Sequence, residues 1–227
     1  MLLFCLLIKT VQMRTFSIIL ALLLISCEAT ESNSSRQQVS KTKVQKGKNG
    51  NDTITLGGGC YWCVEAVYEL MDGVVDVSAG FTGGHRKNPS YEEVCLGTTG
   101  HAEVAQIIFD STQTSVQDIL KVFFTVHDPT TINRQGNDVG TQYRSAFFYN
   151  SNKQKEIAQT IIRELNESNA FPSEIVTEIA PLTIFYRAKE DHQDYYENNS
   201  EEAYCRMVIQ PKIEKFEKVF KKLKEEN

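Results

Sequence analysis

The stretch that decides the fold is residues 57–63, "GGGCYWC", in which three glycines lead into two cysteines separated by two aromatic residues. A β-rich run, "TITL", precedes it at residues 53–56, and the run "YWCVEAVYELM" that begins at Tyr61 has helical periodicity. Glycine permits a sharp turn and a close approach of a ligand to the backbone. The stretch therefore predicts a strand, a tight turn and a helix, with Cys60 at the N-terminus of the helix.

The rest of the globular region alternates between strand-like and helix-like segments. Alternating or β-rich runs predict strands, and amphipathic runs predict helices; Pro129 ends the helix predicted for residues 115–128. Further strands are predicted for residues 74–81, 102–110, 144–150 and 174–181, and further helices for residues 115–128, 153–168 and 211–227. This order does not fix which strands pair, and it favours an α+β two-layer sandwich.

Composition excludes several classes of protein. The chain has 227 residues, of which 41% are hydrophobic, and a net charge of −5. These values suit one globular domain with additional length, and the acidic balance argues against a nucleic-acid partner. Six cysteines, at positions 5, 27, 60, 63, 95 and 205, are too scattered for a small disulfide-stapled protein. The sequence specifies no oligomeric state, and a monomer is expected.

The N-terminal region differs in character from the rest. Residues 1–27 contain the short apolar run "FSIILALLLI" and end in "LISC", which predicts a signal peptide of the bacterial lipoprotein type with lipid on Cys27. An ordinary secretory signal or an uncleaved anchor is the alternative, and translation from Met13 would give a shorter signal. The polar residues 28–51 predict a flexible linker to a catalytic domain at 52–227. We therefore expect an extracytoplasmic or periplasmic protein that is lipid-anchored in the cell envelope.

The two cysteines of the glycine-led stretch allow three interpretations. Zinc needs about four ligands, and neither the other cysteines nor His85, His101, His127 and His192 supply a second ligand pair, so no metal site is predicted. Both thiols can instead be small buried side chains. The third interpretation is a reactive Cys60, because a helix N-terminus stabilises a thiolate and lowers its pKa.

Four blocks of sequence resemble one enzyme family. They are "GGGCYWCVEAVYELMDGV", "GFTGGHRKNPSYEEVCLGTTGHAEVAQIIFD", "FFTVHDPTTINRQGNDVGTQYRSAFFY" and "DHQDYYENN". In this order, from about residue 53 to about residue 222, they resemble peptide methionine sulfoxide reductase A. The resemblance implies a two-layer α+β sandwich with a ferredoxin-like core. It also implies reduction of the S-epimer of methionine sulfoxide, free or in proteins, with no bound cofactor and with an external dithiol such as thioredoxin.

The resemblance also implies roles for single residues. Cys60 is the expected nucleophile, and Glu103, in "GHAEVAQ", is the expected proton donor. The small apolar neighbours of Glu103 on a predicted strand indicate partial burial, which raises the pKa of a carboxyl group. Without the resemblance, a solvent-facing glutamate would be the simpler interpretation.

Further residues of the expected site surround the substrate. Tyr91 and Tyr143 match the hydroxyl groups that contact the sulfoxide oxygen, and Tyr61 and Trp62 match the side chains that hold the substrate methyl group. Many relatives have phenylalanine at the position of Tyr61. Asp138 is expected in a supporting role. From the residues alone, aromatic side chains of this kind are usually part of a core.

The resolving cysteine is left open between two positions. Cys63 is about one helical turn from Cys60, whereas Cys205, in "EEAYCRM", matches a C-terminal resolving cysteine of many relatives. The sequence favours Cys205 as the resolving cysteine, because Cys63 inside a helix needs local distortion to reach Cys60. The lysine-rich end of the chain has no further cysteine, which argues against a relay of three thiols ending there.

Two other functions fit parts of the pattern. A thioredoxin-like thiol-disulfide oxidoreductase also has two cysteines in this spacing at a helix start, and it would act on disulfides rather than sulfoxides. A non-enzymatic lipoprotein that binds ligands through its aromatic residues would tolerate the loss of Cys60.

Overall fold

The computed structural model describes the backbone of residues 50–225 and the side chains of residues 50–220. The signal peptide predicted for residues 1–27 and nearly all of the linker predicted for residues 28–51 lie outside the described residues. The strands are β1 (Asn51–Gly58), β2 (Val74–Thr82), β3 (Ala102–Asp110), β4 (Arg134–Gln135), β5 (Asp138–Val139), β6 (Ser145–Tyr149), β7 (Glu178–Pro181) and β8 (Tyr186–Arg187). The α-helices are α1 (Tyr61–Tyr68), α2 (Tyr91–Cys95), α3 (Val116–Val126), α4 (Asn152–Glu167), α5 (Tyr195–Asn198) and α6 (Gln210–Glu225).

Six of the strands form one sheet in the order β7-β6-β1-β3-β2-β8. The four central strands pair antiparallel, and with α1 and α3 they follow the chain order β1-α1-β2-β3-α3-β6. This is the connectivity of a ferredoxin-like core, extended by β7, which is parallel to β6, and by β8 at the other edge. The predicted α+β sandwich with a ferredoxin-like core is confirmed.

Most element bounds agree with the sequence prediction to within a few residues. The strand predicted for 102–110 is β3 itself, and the helix predicted for 153–168 is α4. Only the last four residues of the strand predicted for 174–181 pair with the sheet, as β7. A π-helix at Cys205–Ile209, which leads directly into α6, was not predicted, because its apolar spacing does not differ visibly from that of an α-helix.

Side-chain alternation along β3 places Glu103 under the helices. Ala105, Ile107 and Phe109 belong to the large core cluster that includes α1 and α3, whereas Val104 belongs to a smaller cluster on the opposite face of the sheet. Successive side chains of a strand point to opposite faces, so Glu103 shares the helical face. Its register partner in β2 is Phe81.

The start of α2 is fixed by a capping box. The Ser90 side chain accepts a hydrogen bond from the backbone N–H of Glu93, and the Glu93 carboxylate accepts one from the backbone N–H of Ser90. Such a box satisfies two backbone donors at a helix end. Tyr91 is therefore held as the first residue of α2.

None of the described helices combines the length and the apolar character that crossing a lipid bilayer requires.

We predict that Gly59→Ala destabilises the protein more than Gly136→Ala. Both glycines have a positive φ, +97° and +57°, which costs an alanine about 1–2 kcal/mol. Only at Gly59 does the added Cβ lie 2.7 Å from Gln135, whereas at Gly136 nothing lies within 4 Å. Overpacking of this kind adds roughly 1–3 kcal/mol. Urea unfolding of both variants checks the difference, and equal losses of stability would contradict it.

Candidate active site

Cys60 lies at the junction between the end of β1 and the start of α1. Gly59 adopts a left-handed backbone conformation that turns the chain, and Cys60 is the N-cap residue, with φ −59° and ψ 129°, outside the helix proper. The backbone N–H of Cys63 donates to the Cys60 carbonyl oxygen at 3.1 Å. The turn therefore places the Cys60 thiol at the end of the sheet where α1 begins, with 6% of the residue exposed.

Glu103 lies next to this turn and is almost fully buried. The residue is 2% exposed, and its Oε2 accepts a hydrogen bond from the backbone N–H of Tyr61 at 3.2 Å. Burial raises the pKa of the Glu103 carboxyl group to about 8, and the nearby Asp138 carboxylate also raises it. The group is therefore mostly neutral at pH 7 and can donate a proton.

The two thiols of the cluster influence each other. Burial raises the pKa of Cys60 well above its ordinary value, and the neighbouring Cys63 and Glu103 raise it further. The pKa of Cys63 is lowered to about 7, chiefly by its interaction with the Cys60 thiol. The expectation that the helix N-terminus lowers the pKa of Cys60 is wrong, because burial of the thiol raises it.

Two tyrosines present protonated hydroxyl groups within electrostatic reach of Glu103. Tyr91 is the first residue of α2, and Tyr143 ends the 3-10 helix at Thr141–Tyr143. Burial raises the pKa of both phenols well above their ordinary value, and Glu103 raises both further. Both hydroxyls therefore keep their protons throughout the working pH range and can donate hydrogen bonds.

Trp62 forms part of an aromatic stack. Its ring lies parallel to that of Tyr195, with ring centroids 3.7 Å apart and an angle of 10° between the planes. The His192 imidazole is also nearly parallel to the Trp62 ring, at a centroid distance of 5.6 Å. Trp62 is only partly buried, so this arrangement holds an aromatic face near the cysteine turn.

Tyr204 connects Asp138 to the thiols. Its hydroxyl donates to Asp138 Oδ2 at 2.8 Å and lies 3.8 Å from Cys63 Sγ. Cys205, the next residue, begins the π-helix and is fully buried. The C-terminal segment therefore reaches the same cluster as Cys60.

Comparisons with known proteins agree on one family. The sequence profile described as "Peptide methionine sulfoxide reductase" matches residues 52–224. The chain belongs to the peptide methionine sulfoxide reductase family. It is an oxidoreductase that reduces methionine sulfoxide.

Individual relatives are similar over most of their length. Proteins named peptide methionine sulfoxide reductase MsrA from Natronomonas pharaonis and Saccharolobus solfataricus are 55% and 52% identical, and each alignment covers 74% of this chain and 94% of the relative. A solved structure of Mxr1 from Saccharomyces cerevisiae in reduced form is 35% identical, with a TM-score of 0.66 over 74% of this chain and 96% of that one. Methionine sulfoxide reductase A of Corynebacterium diphtheriae is 36% identical, with a TM-score of 0.60 over 69% of this chain and 78% of that one.

The structure brings together all of the residues that the sequence predicted for the reductase site. The contacts and electrostatic interactions above link Cys60, Tyr61, Trp62, Cys63, Tyr91, Glu103, Asp138, Tyr143 and, through its chain neighbour Tyr204, Cys205. Their catalytic roles stay predictions.

Three further residues of the reductase site were not singled out from the sequence. His192 and Tyr195 lie in the matched block "DHQDYYENN", and Tyr204 precedes Cys205. Membership of that block was the available signal for His192 and Tyr195, and the position next to Cys205 was the signal for Tyr204. Their contacts with Trp62 and Asp138 depend on the tertiary fold, so spacing along the chain did not reveal them.

One group of side chains in the described part of the chain has the composition of a cation site. Carboxylate oxygens of Glu65, Glu69 and Asp194 lie within 4.8 Å of one another. Glu69 and Asp194 are exposed, and Glu65 Oε2 accepts a hydrogen bond from the backbone N–H of Tyr195 at 3.4 Å. None of these three carboxylates belongs to the predicted reductase site.

We predict a bell-shaped pH dependence for sulfoxide reduction in a single turnover. Activity rises with pH as the thiol pair ionises, near the Cys63 pKa of about 7, and falls as Glu103 loses its proton near pH 8. Glu103→Gln cannot lose a proton, so it should abolish the fall on the alkaline side while lowering the rate. Glu92→Gln, at an exposed position of α2, is the control and should keep both the rise and the fall of activity with pH. A fall of activity at alkaline pH that persists in Glu103→Gln would contradict the role of Glu103 as the acid.

Proposed function

We propose that this chain reduces the S-epimer of methionine sulfoxide, free or in oxidised proteins, and so repairs proteins after oxidative damage. The observation that supports this most strongly is the junction of β1 and α1. There a cysteine thiol, a neutral buried carboxyl group and a partly buried tryptophan ring lie together. Sulfoxide reduction needs one nucleophile, one proton donor and one apolar surface for the methyl group, and these groups supply them.

The first step is formation of the Cys60 thiolate. Loss of one proton from the coupled pair of Cys60 and Cys63 leaves one negative charge on the two sulfurs together. When the remaining proton lies on Cys63, a Cys60 thiolate stands next to the substrate. Such coupled pairs titrate as a unit, and a small change in surroundings can move the charge from one sulfur to the other.

The second step is attack on the sulfoxide. The Cys60 thiolate bonds to the sulfoxide sulfur, and Glu103 gives its proton to the sulfoxide oxygen. The oxygen then passes to Cys60, the bond between the two sulfurs breaks, and the products are methionine and a Cys60 sulfenic acid. One thiolate, one sulfoxide and one proton are consumed, so atoms and charge balance. Sulfenic acid is the first, reversible stage of cysteine oxidation.

Tyr91 and Tyr143 assist this step by hydrogen bonding. As the thiolate attacks, negative charge develops on the sulfoxide oxygen. Fixed phenol donors stabilise such charge in the way that an oxyanion hole does. Both hydroxyls stay protonated in the pH range in which Cys60 reacts.

The substrate methyl group is held by the aromatic side chains. Thioether and methyl groups pack favourably against aromatic faces. Trp62, fixed by its stack on Tyr195, offers such a face, and the buried Tyr61 ring packs beside it at a centroid distance of 5.8 Å. Asp138 supports this pocket through its hydrogen bond from Tyr204.

Cys63 is the resolving cysteine in this proposal. Because Cys60 is the N-cap and not part of α1, a bond between the two sulfurs does not require the helix to unwind, which removes the objection raised from the sequence. The Cys63 thiol condenses with the sulfenic acid, and water leaves as the disulfide forms. Cys205, fully buried near Cys63, is the alternative resolver.

A dithiol then regenerates the enzyme. Thiol–disulfide exchange with thioredoxin or a similar protein reduces the Cys60 disulfide to two thiols and oxidises the dithiol to its own disulfide. The cycle draws its two electrons from this external partner and needs no bound cofactor.

We predict that Cys60→Ser abolishes reduction of the S-epimer while the R-epimer is not reduced by any variant. The assay uses separated epimers of a blocked methionine sulfoxide with dithiothreitol as reductant, and circular dichroism verifies folding. Reduction of insulin disulfides without consumption of either sulfoxide would instead support a thioredoxin-like oxidoreductase. Sulfoxide consumption by folded Cys60→Ser would overturn the role of Cys60.

The same assay, driven by thioredoxin, separates the two candidate resolvers. Cys63→Ser should form about one equivalent of methionine and then stop, because its sulfenic acid finds no partner. Cys205→Ser should continue to cycle, and Cys95→Ser, at an exposed position, is the matched control. Mass mapping of the oxidised wild type should show a Cys60–Cys63 disulfide. The reverse pattern, with Cys205→Ser stopping after one turnover, would assign resolution to Cys205.

The N-terminal segment suggests where repair takes place. We propose that the chain is cleaved before Cys27, so that residues 1–26 are removed and Cys27 carries lipid and anchors the enzyme in the envelope of a bacterial cell. The apolar run followed by "LISC" supports this.

We predict that the full chain, expressed in a bacterium supplied with labelled palmitate, incorporates label and sediments with membranes. Cys27→Ser should lose the label, whereas Cys5→Ser, within the same segment, should retain it. Absence of label from the wild type, or its persistence in Cys27→Ser, would refute lipid attachment at this residue.

A further inference from the structure

We propose that His192 is a positioning residue of the substrate pocket, held by the Tyr61 hydroxyl in one orientation and one tautomer against Trp62 and Tyr91. The inference rests on the sulfoxide reduction proposed above and assigns a function to a histidine that the chemical steps do not use.

The first observation is a hydrogen bond between two side chains that are far apart in sequence. Tyr61 Oη lies 2.8 Å from His192 Nδ1, across 131 positions of the chain. Tyr61 is 1% exposed and its backbone N–H donates to Glu103, so both ends of this residue are fixed. His192 ends the 3-10 helix at Glu190–His192, and its backbone N–H donates to the Lys189 carbonyl oxygen.

The direction of this hydrogen bond follows from burial. Among the hydrogen bonds of the described residues, the one to His192 is the bond that Tyr61 Oη makes. If Nδ1 carried the proton and donated, the phenol hydrogen would be left buried without an acceptor, which is unfavourable. The Tyr61 hydroxyl therefore donates to Nδ1, and the neutral imidazole carries its proton on Nε2. Burial lowers the pKa of His192, which favours this neutral form.

The second observation is the set of rings that the imidazole touches. Its centroid lies 4.4 Å from that of Tyr91 and 5.6 Å from that of Trp62, and its plane is within 17° of the Trp62 plane. His192 thus contacts both the proposed methyl-binding face and one of the proposed hydroxyl donors. An imidazole that is free to turn would leave the spacing of these two rings less defined. The bond from Tyr61 fixes that spacing before substrate arrives.

Side chains that are already fixed lose little conformational entropy when the substrate binds, so the entropic cost of binding is smaller. The expected consequence of releasing the ring is weaker binding, with less effect on the chemical step. Loss of one hydrogen bond of ordinary strength corresponds to about a fivefold change in an equilibrium constant. A rise in KM with kcat nearly unchanged is the kinetic signature of such a loss.

The test compares wild type, Tyr61→Phe, His192→Ala and the double variant. Tyr61→Phe keeps the ring and removes only the hydroxyl, so KM for the S-epimer should rise about fivefold, with a much smaller change in kcat. The double variant should be no worse in KM than His192→Ala alone, because both changes break the same interaction. Nitrogen-15 NMR of labelled histidine should show the Nε2–H tautomer of His192 in wild type and a mixture of tautomers in Tyr61→Phe.

Tyr68→Phe is the matched control. Tyr68 lies on the same helix, is fully buried, and donates to the Ile119 carbonyl oxygen at the same distance of 2.8 Å. This variant should lose stability but keep the KM and the His192 tautomer of the wild type. Additive effects of Tyr61→Phe and His192→Ala on KM would overturn the proposal. So would a raised KM in Tyr61→Phe with an unchanged His192 tautomer, because the hydroxyl would then act on the substrate directly.

The two readouts separate this inference from the proposed function. If the protein reduces no sulfoxide, no KM exists, but the NMR measurement still reports whether Tyr61 fixes the imidazole. If sulfoxide is reduced and the tautomer does not respond to Tyr61→Phe, only the positioning role fails.

Discussion

The burial of Glu103 beneath the first turn of α1 is the constraint on which the site depends. A carboxylate in this position is desolvated, and its one backbone donor, the N–H of Tyr61, compensates only part of that cost. The carboxyl group therefore stays protonated, which is the form that can donate a proton in the proposed reaction. The position of Glu103 on the core face of a central strand therefore determines its protonation state.

The same burial explains the behaviour of the thiols. Burial raises the pKa of Cys60, because a thiolate in this setting is desolvated. The Cys63 thiol lies close to the Tyr204 hydroxyl, and its interaction with the Cys60 thiol lowers its pKa.

Much of the fold was predictable because local patterns and tertiary structure agree. The alternation in β3 and the glycine turn before Cys60 identify the strand, the turn and the helix without further information. The sheet order was not predictable from alternation alone and entered through the family resemblance. The misjudged pKa of Cys60 has a physical cause, since a helix end is visible in a sequence whereas the degree of desolvation is set by residues distant along the chain. His192, Tyr195 and Tyr204 were missed for the same reason.

Helix α1 is short, with eight residues, yet Cys60 caps it and Trp62 and Cys63 lie in its first turn. Because Trp62 and Cys63 belong to α1 and Cys60 is its N-cap residue, a thermal displacement of α1 shifts the three residues together. The distance that can change is the one between α1 and Glu103, which lies on the sheet. Damage to the packing beneath α1 would therefore misalign acid and nucleophile while each remained intact, so an enzyme of this design can lose activity long before it loses its fold.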